Sequence, residues 1–479
     1  MSDSRMVFNI QPHEREIFRI ISEAGAEQGV DTYVVGGYVR DRLLGRPSKD
    51  MDIVCIGSGI GLARAVARRL YPIPRVTVFK RFGTAMLNHQ ELEVEFVGAR
   101  KESYRPDSRK PTVEEGSLED DQNRRDFTIN ALAVSLNARD YGTIIDPFHG
   151  LADLEKKIIR TPLEPGKTFS DDPLRILRGI RFASQLGFRI EDTTYAAMAD
   201  YRRRLEIVSR ERIATELNKI ILSNPPSNGL RQLYDTGILE IIFPELARMH
   251  GREVRNGVGH KDNFYHTLEV LDNIARHTDD LWLRWAALLH DIGKPATKRF
   301  SKEAGWTFRG HQAVGAGMVP KIFRKMRLPQ NEKMKFVQKM VALHMRPISL
   351  TTESITDSGI RRLLVEAGDD LEPLMLLAQA DITSKNPQRV KRYLRNYAEL
   401  QERMAEIEAA DQLRNWQPPI TGELIMQTFG IPPGRQVGEI KNYIREGILD
   451  GDIANDYDAA FAAMLERGKA LGLTADVDA

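Results

Sequence analysis

The sequence predicts an α+β protein, with an α/β head over residues 1–150 followed by a long, mostly helical body. Three observations carry that prediction. Short β-type apolar runs are confined to the first 150 residues, and from about Asp171 onward nearly every stretch has helical spacing. A chain of 479 residues also exceeds what one hydrophobic core can hold, so several modules are required. With 42% hydrophobic and 28% charged residues and no long polar tract, the composition is that of a folded globular chain rather than a disordered one.

Taken in order, Tyr33-Val34-Val35, Asp52-Ile53-Val54-Cys55-Ile56, Arg75-Val76-Thr77-Val78-Phe79 and Leu92-Glu93-Val94-Glu95-Phe96-Val97 read as strands. Residues 101–123 are polar, carry Pro106 and Pro111, and end in the acidic run Leu118-Glu119-Asp120-Asp121, so a loop is expected there. Pro225-Pro226-Ser227-Asn228-Gly229 is a break, Gly251 to Gly259 a polar Gly-rich link, and Trp416-Gln417-Pro418-Pro419 opens a tail. The expected division is a head at 1–150, a helical neck at 151–250, a third module at 255–390 and a helical tail at 391–479.

The formal net charge of +2 excludes a globally basic surface, so any contact with a polyanion rests on local patches. Cys55 is the only cysteine, which excludes an intrachain disulfide, and its apolar setting reads as a buried thiol. Met1-Ser2-Asp3-Ser4-Arg5 lacks a signal-type apolar segment, and no stretch approaches the ~20 apolar residues of a membrane span. A cytoplasmic chain with no membrane partner is the expectation.

Gly36-Gly37 ends a strand and precedes Tyr38 to Gly45, which has helical spacing. Paired glycines let backbone approach a ligand, and a following helix offers unpaired N–H groups to phosphate. Alone, such a turn is more often structural. Asp50 and Asp52 stand at i and i+2 of a strand and present both carboxylates to one side. Like charges that close repel unless a cation lies between them, and divalent cations would relieve them. The plain alternative is a solvated strand end. Glu95, which shares a strand face with Glu93, is either a third carboxylate of such a set or an exposed-face glutamate.

The order of motifs decides between these readings. Arg124-Arg125-Asp126-Phe127-Thr128-Ile129-Asn130-Ala131 follows the Gly-Gly turn and the Asp-x-Asp pair, and Asp171-Asp172-Pro173-Leu174-Arg175 follows it. From about Asp31 to Lys219 the chain resembles the class II tRNA nucleotidyltransferase and bacterial poly(A) polymerase family. The resemblance implies a polymerase-β-like head in which Asp50 and Asp52 hold Mg²⁺ and Glu95 takes the third carboxylate position. It implies nucleotide contacts from Gly36, Gly37 and Arg40, and places Arg125, Asp126 and Asn130 at the triphosphate and ribose.

Ser170-Asp171-Asp172-Pro173 reads as a helix start, with a capping residue, an acidic first turn and an early proline. Asp172, Arg175 and Arg178 follow at spacings of three and share a face, which by itself is the pattern of a helix-stabilising ion pair. The resemblance gives them a sharper role. A carboxylate accepts from the exocyclic amine of cytosine or adenine and an arginine donates to the adjacent ring acceptor, so Asp172 and Arg175 would select C and A without a template. The commonest family form has Glu where Asp171 stands; the substitution keeps the charge and shortens the reach. Glu211-Arg212-Ile213-Ala214-Thr215-Glu216-Leu217 resembles the last family motif and reads as support for the neck.

A second constellation comprises His266, His290-Asp291 within Ala287 to Pro295, His311, His344 and Asp381. A lone histidine on an apolar helix is usually a satisfied core residue, but His-Asp at the end of an apolar run before Ile292-Gly293-Lys294 is much rarer. It resembles the HD superfamily of metal-dependent phosphohydrolases. The resemblance implies that His266, His290, Asp291 and Asp381 ligate one divalent metal, and that His311 and His344 hold a second or bind phosphate. The residue types suit Mn²⁺, Ni²⁺, Zn²⁺ or Mg²⁺ alike. Lys294 is either a phosphate contact or a solvated lysine.

Lys391-Arg392-Tyr393-Leu394-Arg395-Asn396-Tyr397 interleaves cations with aromatics and Tyr201-Arg202-Arg203-Arg204 is a tighter basic cluster; such runs grip RNA backbone or simply face solvent. Pro418 to Glu423 and Ile431 to Arg435 resemble the C-terminal part of HD-bearing tRNA nucleotidyltransferases. The function implied is addition of CCA to the tRNA 3′ end from CTP and ATP. Rivals are a poly(A) polymerase, a CC- or A-adding partial enzyme, and, in another class, an HD phosphohydrolase with an RNA-binding head.

Overall fold

Alternating hydrophobicity in the head builds a seven-stranded mixed sheet in the order β3-β4-β5-β2-β1-β8-β9. Its strands are β1 (Thr32–Val35), β2 (Asp50–Cys55), β3 (Thr77–Phe79), β4 (Thr84–His89), β5 (Leu92–Gly98), β8 (Ala133–Ser135) and β9 (Ile144–Ile145). The computed structural model describes residues 7–105, 108–255, 257–352, 356–383, 386–411 and 418–475. Met1 to Arg5, Pro106 and Trp416-Gln417, on which expectations were placed, lie outside them. Two compact units result, Met1–Ala247 and Arg248–Ala479.

Met51, Ile53, Leu87, Val94 and Phe96 point to the sheet face covered by α3 (Gly59–Ala67), and all are at most 1% exposed. Burying each contributes roughly 1.5–3 kcal/mol, which fixes the register because a one-residue slip would turn the set to solvent. The opposite residues, Asp50, Asp52, Glu93 and Glu95, are thereby forced onto the other face. The head also contains α1 (Pro12–Gln28) and α2 (Gly37–Leu43).

The stretch 101–123, expected as a loop, is instead a hairpin of β6 (Arg100–Arg105) and β7 (Ser108–Glu115) followed by α4 (Leu118–Asn123). The segment is polar and carries Pro106 and Pro111, so its sequence lacks the apolar alternation by which strands are recognised. The helix does have a legible start. Ser117 Oγ accepts from Asp120 N at 3.2 Å and the Asp120 carboxylate accepts from Ser117 N at 2.9 Å, a capping box.

After α5 (Gly150–Glu155), the neck is α6 (Pro165–Asp171), α7 (Leu174–Leu186), α8 (Asp192–Asp200) and α9 (Arg210–Ile221). The expected helix start at Ser170–Pro173 is a junction between α6 and α7. Asp172 leaves the helical path (φ −133, ψ 100), and its Oδ1 caps α7 by accepting from Leu174 N at 3.1 Å. The break at Pro225–Gly229 ends with a helix from Ser227 to Asp235.

In the second unit, the Gly251–Gly259 link holds a small hairpin that pairs Val254–Arg255 with Val258–Gly259. Helices Asn263–Ala275, Leu281–Leu289, His311–Lys325, Glu332–Leu343 and Leu371–Ala380 then pack around Trp285, Phe264 and Phe323, each fully buried. Three final helices, Gly422–Phe429, Arg435–Asp450 and Tyr457–Ala470, have a core of their own built on Ile425, Ile440, Ile444 and Met464. Among the described residues no helix is long and apolar enough to cross a membrane.

Candidate functional sites

In the head, β2 and β5 run parallel in a register that pairs Asp52 with Glu95 and Asp50 with Glu93. Neighbouring strands lie about 4.8 Å apart, so the Asp52 and Glu95 carboxylates are side by side on the face opposite α3. Burial raises the Asp52 pKa, the Arg125 guanidinium opposes the rise, and Glu95, Asp121 and Asp50 add to it. Carboxylates held against repulsion in this way are a donor set that a divalent cation would relieve.

Asp52 and Glu95 open onto a cavity of about 330 Å³ that is also lined by Thr84, Arg100, Arg124, Arg125, Asp126, Asp172, Arg175, Arg178 and Arg212. The cavity thus brings together Asp52, Glu95, Arg125, Asp126, Asp172, Arg175 and Arg178 of the expected set. Asp50, on the same strand face, is exposed at the start of β2 and does not line it.

Gly36, Gly37, Arg40 and Asn130 stand behind the cavity rather than on its wall. Gly36 has a left-handed φ of +78°, and a Cβ there would come 2.7 Å from Arg125 Nη1 and 3.4 Å from Asp52 Oδ2. The glycine is therefore required where the strand end passes under both functional side chains. Arg40 is buried, donates to Asn130 Oδ1 at 2.6 Å and to the Asp41 carboxylate, and lies 4.8 Å over the Phe182 ring. Its guanidinium is committed to this network, which reaches the cavity by way of Asn130 and then Asp126. The Asn130 amide in turn donates to Asp126 Oδ1 at 2.9 Å, and Arg178 Nε donates to Asp126 Oδ2 at 2.6 Å. Burial would raise the Asp126 carboxyl, but Arg178 and Asn130 outweigh it and hold it down to about 2.

The base-reading candidates are held less tightly. Arg175 donates to the Thr168 carbonyl at 3.3 Å and to the Arg124 carbonyl. Asp172 Oδ2 has the Arg212 guanidinium at 3.7 Å, too long for a hydrogen bond. Arg181 and Glu216 form a buried pair at 3.2 Å, which gives the Glu211–Leu217 motif the supporting role expected of it. Arg212 of the same motif, however, reaches the cavity.

Asp121 falls in the stretch expected as a loop yet is fully buried, and it holds two of the cavity arginines, Arg124 and Arg125. Its Oδ2 accepts from Arg125 Nε and Nη2 at 3.1 and 2.9 Å, and its Oδ1 from Arg124. Burial would raise its pKa, but Arg125 and Arg124 outweigh burial and hold it below the usual carboxylate range. Removing one partner of a buried ion pair costs about 3–5 kcal/mol. Asp121→Ala is expected to lose roughly that much stability, read from urea denaturation of the head, whereas an exposed acid would cost under about 1 kcal/mol.

The second unit gathers every expected His and Asp. His290 Nδ1 lies 2.7 Å from the Ala287 carbonyl, His311 Nδ1 2.9 Å from Phe308 and His344 Nδ1 2.8 Å from Val341. A carbonyl oxygen only accepts, so each Nδ1 must donate, and in the neutral ring each Nε2 keeps a lone pair for the interior. The ligand atoms of His266, His290 and Asp381 lie within 4.8 Å of one another, as do those of Asp291, His311 and His344. Asp291 joins the two sets, with Oδ2 3.4 and 3.3 Å from His266 and His290 Nε2, and Oδ1 3.3 Å from His311 Nε2. His290 Nε2 is buried without a hydrogen bond, an orphan that a metal ion would satisfy.

Without an ion, burial lowers the His290 imidazolium, but the Asp291 charge outweighs it and lifts the pKa to about 9, so a metal would have to displace that proton to reach Nε2. Burial likewise raises Asp381, and the hydrogen bond from His266 pulls it to about 2. The donor set fits a divalent ion. The backbone reason for Gly293 is proximity, since a Cβ there would meet the His311 carbonyl oxygen at 2.2 Å. Lys294 is not simply solvated: its Nζ donates to Asp291 Oδ2 at 2.5 Å. It lines a cavity of about 370 Å³ with His266, Asp381, Lys261, Tyr393 and Tyr397.

The two basic runs divide by face. Tyr397 is buried and donates to the Met375 carbonyl, while Lys391, Arg392 and Arg395 face solvent. Arg202 and Arg204 each donate to a backbone carbonyl.

Residues 32–160 match the poly A polymerase head domain family, residues 187–249 a probable RNA- and SrmB-binding site of polymerase A, and residues 263–386 the HD domain family. The multifunctional CCA protein of Methylococcus capsulatus is 34% identical over 73% of this chain and 81% of its own length. The A-adding tRNA nucleotidyltransferase of Deinococcus radiodurans is 30% identical over 89% of this chain and 93% of its own. A solved CCA-adding enzyme in complex with ATP shares the fold, with a TM-score of 0.63, 24% identity and 96% of both chains covered.

Proposed function

This chain belongs to the tRNA nucleotidyltransferase family, and from that we propose that it builds CCA on the 3′ end of tRNA from CTP and ATP without a nucleic-acid template. The observation that carries the reading is one cavity lined at once by Asp52 and Glu95 and by Asp172 and Arg175. In this reaction the tRNA 3′-hydroxyl oxygen bonds to the α-phosphorus as the bond to the leaving pyrophosphate breaks. Asp50 and Asp52, with Glu95, would hold Mg²⁺, which when bound neutralises triphosphate charge and makes the hydroxyl a better nucleophile.

The remaining roles belong to the chain itself. Arg125, fixed by Asp121, is a cation for the triphosphate. Asp126 stays ionised near neutrality and would accept from the ribose 2′-hydroxyl. Gly36, Gly37, Arg40 and Asn130 keep these groups in position. Asp172 accepts from the exocyclic amine of C or A, and Arg175 donates to the neighbouring ring acceptor. Guanine and uracil present carbonyl oxygens there and meet an acceptor with an acceptor. Arg178 holds Asp126 beside that pair.

On this reading residues 1–150 are the transferase head, 151–250 the nucleotide-selecting neck, 255–390 the HD module and 391–479 the tail. The HD module is a metal-dependent phosphohydrolase site holding up to two divalent ions, one at His266, His290 and Asp381 and one at Asp291, His311 and His344. Lys294 would meet the substrate phosphate.

The test is incubation of the protein with tRNA lacking its 3′ end, Mg²⁺ and labelled nucleotides, alone and combined. Three residues added from CTP plus ATP, followed by arrest, is the expected result. Addition of A alone would assign the A-adding specificity named for the Deinococcus relative, and a long A tail a poly(A) polymerase. No addition at all would overturn the reading.

A further inference from the structure

The strand register that gathers Asp52 and Glu95 continues outward to the edge of the sheet. Glu95 pairs with Met86 and Val97 with Thr84 across β4–β5, and Thr84 pairs with Phe79 across β3–β4. Paired residues share a face, so Phe79 stands on the same sheet face as the carboxylates, the one opposite α3. Two strand spacings, roughly 10 Å, separate β3 from β5, about the rise of three stacked bases.

At that edge Phe79 is 42% and Phe82 65% exposed, although aromatic side chains of this size are normally covered. Lys80 and Arg81 between them are exposed and form no ion pair among the described residues, and the Arg81 guanidinium lies 6.0 Å over the Phe82 ring. Thr84, two residues on, lines the cavity itself. The turn Phe79-Lys80-Arg81-Phe82 therefore offers π faces and uncompensated positive charge together, the combination that holds single-stranded nucleic acid.

We propose that this turn is the platform on which the unpaired terminal nucleotides of the acceptor RNA lie. Bases would stack on Phe79 and Phe82 and phosphates sit against Lys80 and Arg81, so that the 3′-hydroxyl reaches the Asp52–Glu95 side of the face. The inference rests on the nucleotide-addition reading above. It concerns the RNA and not the incoming nucleotide, which is held on the neck side by Asp126, Asp172 and Arg175.

Phe79→Ala is the test, with initial rates measured against tRNA at saturating CTP and against CTP at saturating tRNA. The KM for tRNA should rise about tenfold while the KM for CTP holds, since one lost base stack is worth about that factor. Phe79→Tyr should restore the tRNA KM. The double variant Lys80→Ala/Arg81→Ala should weaken tRNA binding and flatten its salt dependence. An unchanged tRNA KM in Phe79→Ala, beside a wild type that extends tRNA, overturns the platform and leaves the nucleotide-addition reading standing. A wild type that adds nothing to tRNA overturns both.

Discussion

Asp52→Asn should reduce nucleotide addition by about a thousandfold or more while leaving the head folded. Holding a divalent ion against the triphosphate and the attacking hydroxyl is worth several kcal/mol, and about 1.4 kcal/mol is tenfold in rate. Asparagine keeps the shape and loses the charge. The stability change should run the other way. Burial raises the Asp52 pKa, Arg125 opposes, and Glu95 reinforces the rise. The ionised form is thus the costly one in the metal-free fold, and neutralising it should leave Tm unchanged or higher. A group whose folded pKa is raised weakens the fold as pH climbs past its ordinary value, so the gain in Tm should be larger at pH 7 than at pH 4. Single-turnover extension of tRNA and a thermal melt on the same sample check both halves. Retention of more than about a tenth of the activity would remove Asp52 from the reaction.

Asp291→Asn should strip the HD unit of metal and leave CCA addition intact. Among the described residues, the Asp291 carboxylate is the one group within 3.4 Å of imidazoles in both triads. Losing a ligand's orienting partner costs about 10–100-fold in metal affinity, and losing a shared ligand should cost at least about 100-fold at each triad. Mn²⁺ or Ni²⁺ content after dialysis, together with hydrolysis of an activated phosphodiester, reads the effect. Full metal content and hydrolysis in the variant would dismantle the shared-ligand account. Loss of CCA addition in the same variant would contradict the independence of the two sites.

How far the sequence could be read depended on whether a residue's partners were near it in the chain. Asp50 and Asp52 were legible because strand alternation alone puts them on one face, and the HD histidines because His290-Asp291 closes an apolar helix. The pairing of Asp52 with Glu95 needed the β2–β5 register, which no local pattern states. Asp121 was missed because an acid in a run of acids looks solvated; its burial comes from α4 folding against the arginines that follow it. Arg212 was absorbed into a motif read as support, and only the α7–α9 packing brings it to Asp172. Motif order placed Arg40 and Asn130 near the nucleotide, but could not separate a wall of the cavity from the braces behind it. The hairpin at 100–115 is not legible because its sequence is polar, with Pro106 and Pro111 and no apolar alternation.

One feature of the HD unit sets how it would trade metal. His290, His311 and His344 each have Nδ1 tied to a carbonyl of their own helix or of the turn just before it. The rotamers of these three rings are thus selected by the backbone during folding, and the ion has little ordering left to do at them. Little conformational entropy would be lost on metal capture and little structure on release. Metal-free and metal-loaded protein should then unfold with similar cooperativity, unlike small domains that exist only around their ion. The same independence makes the scaffold evolvable: a descendant could discard the ions and their chemistry and still inherit an intact helical fold.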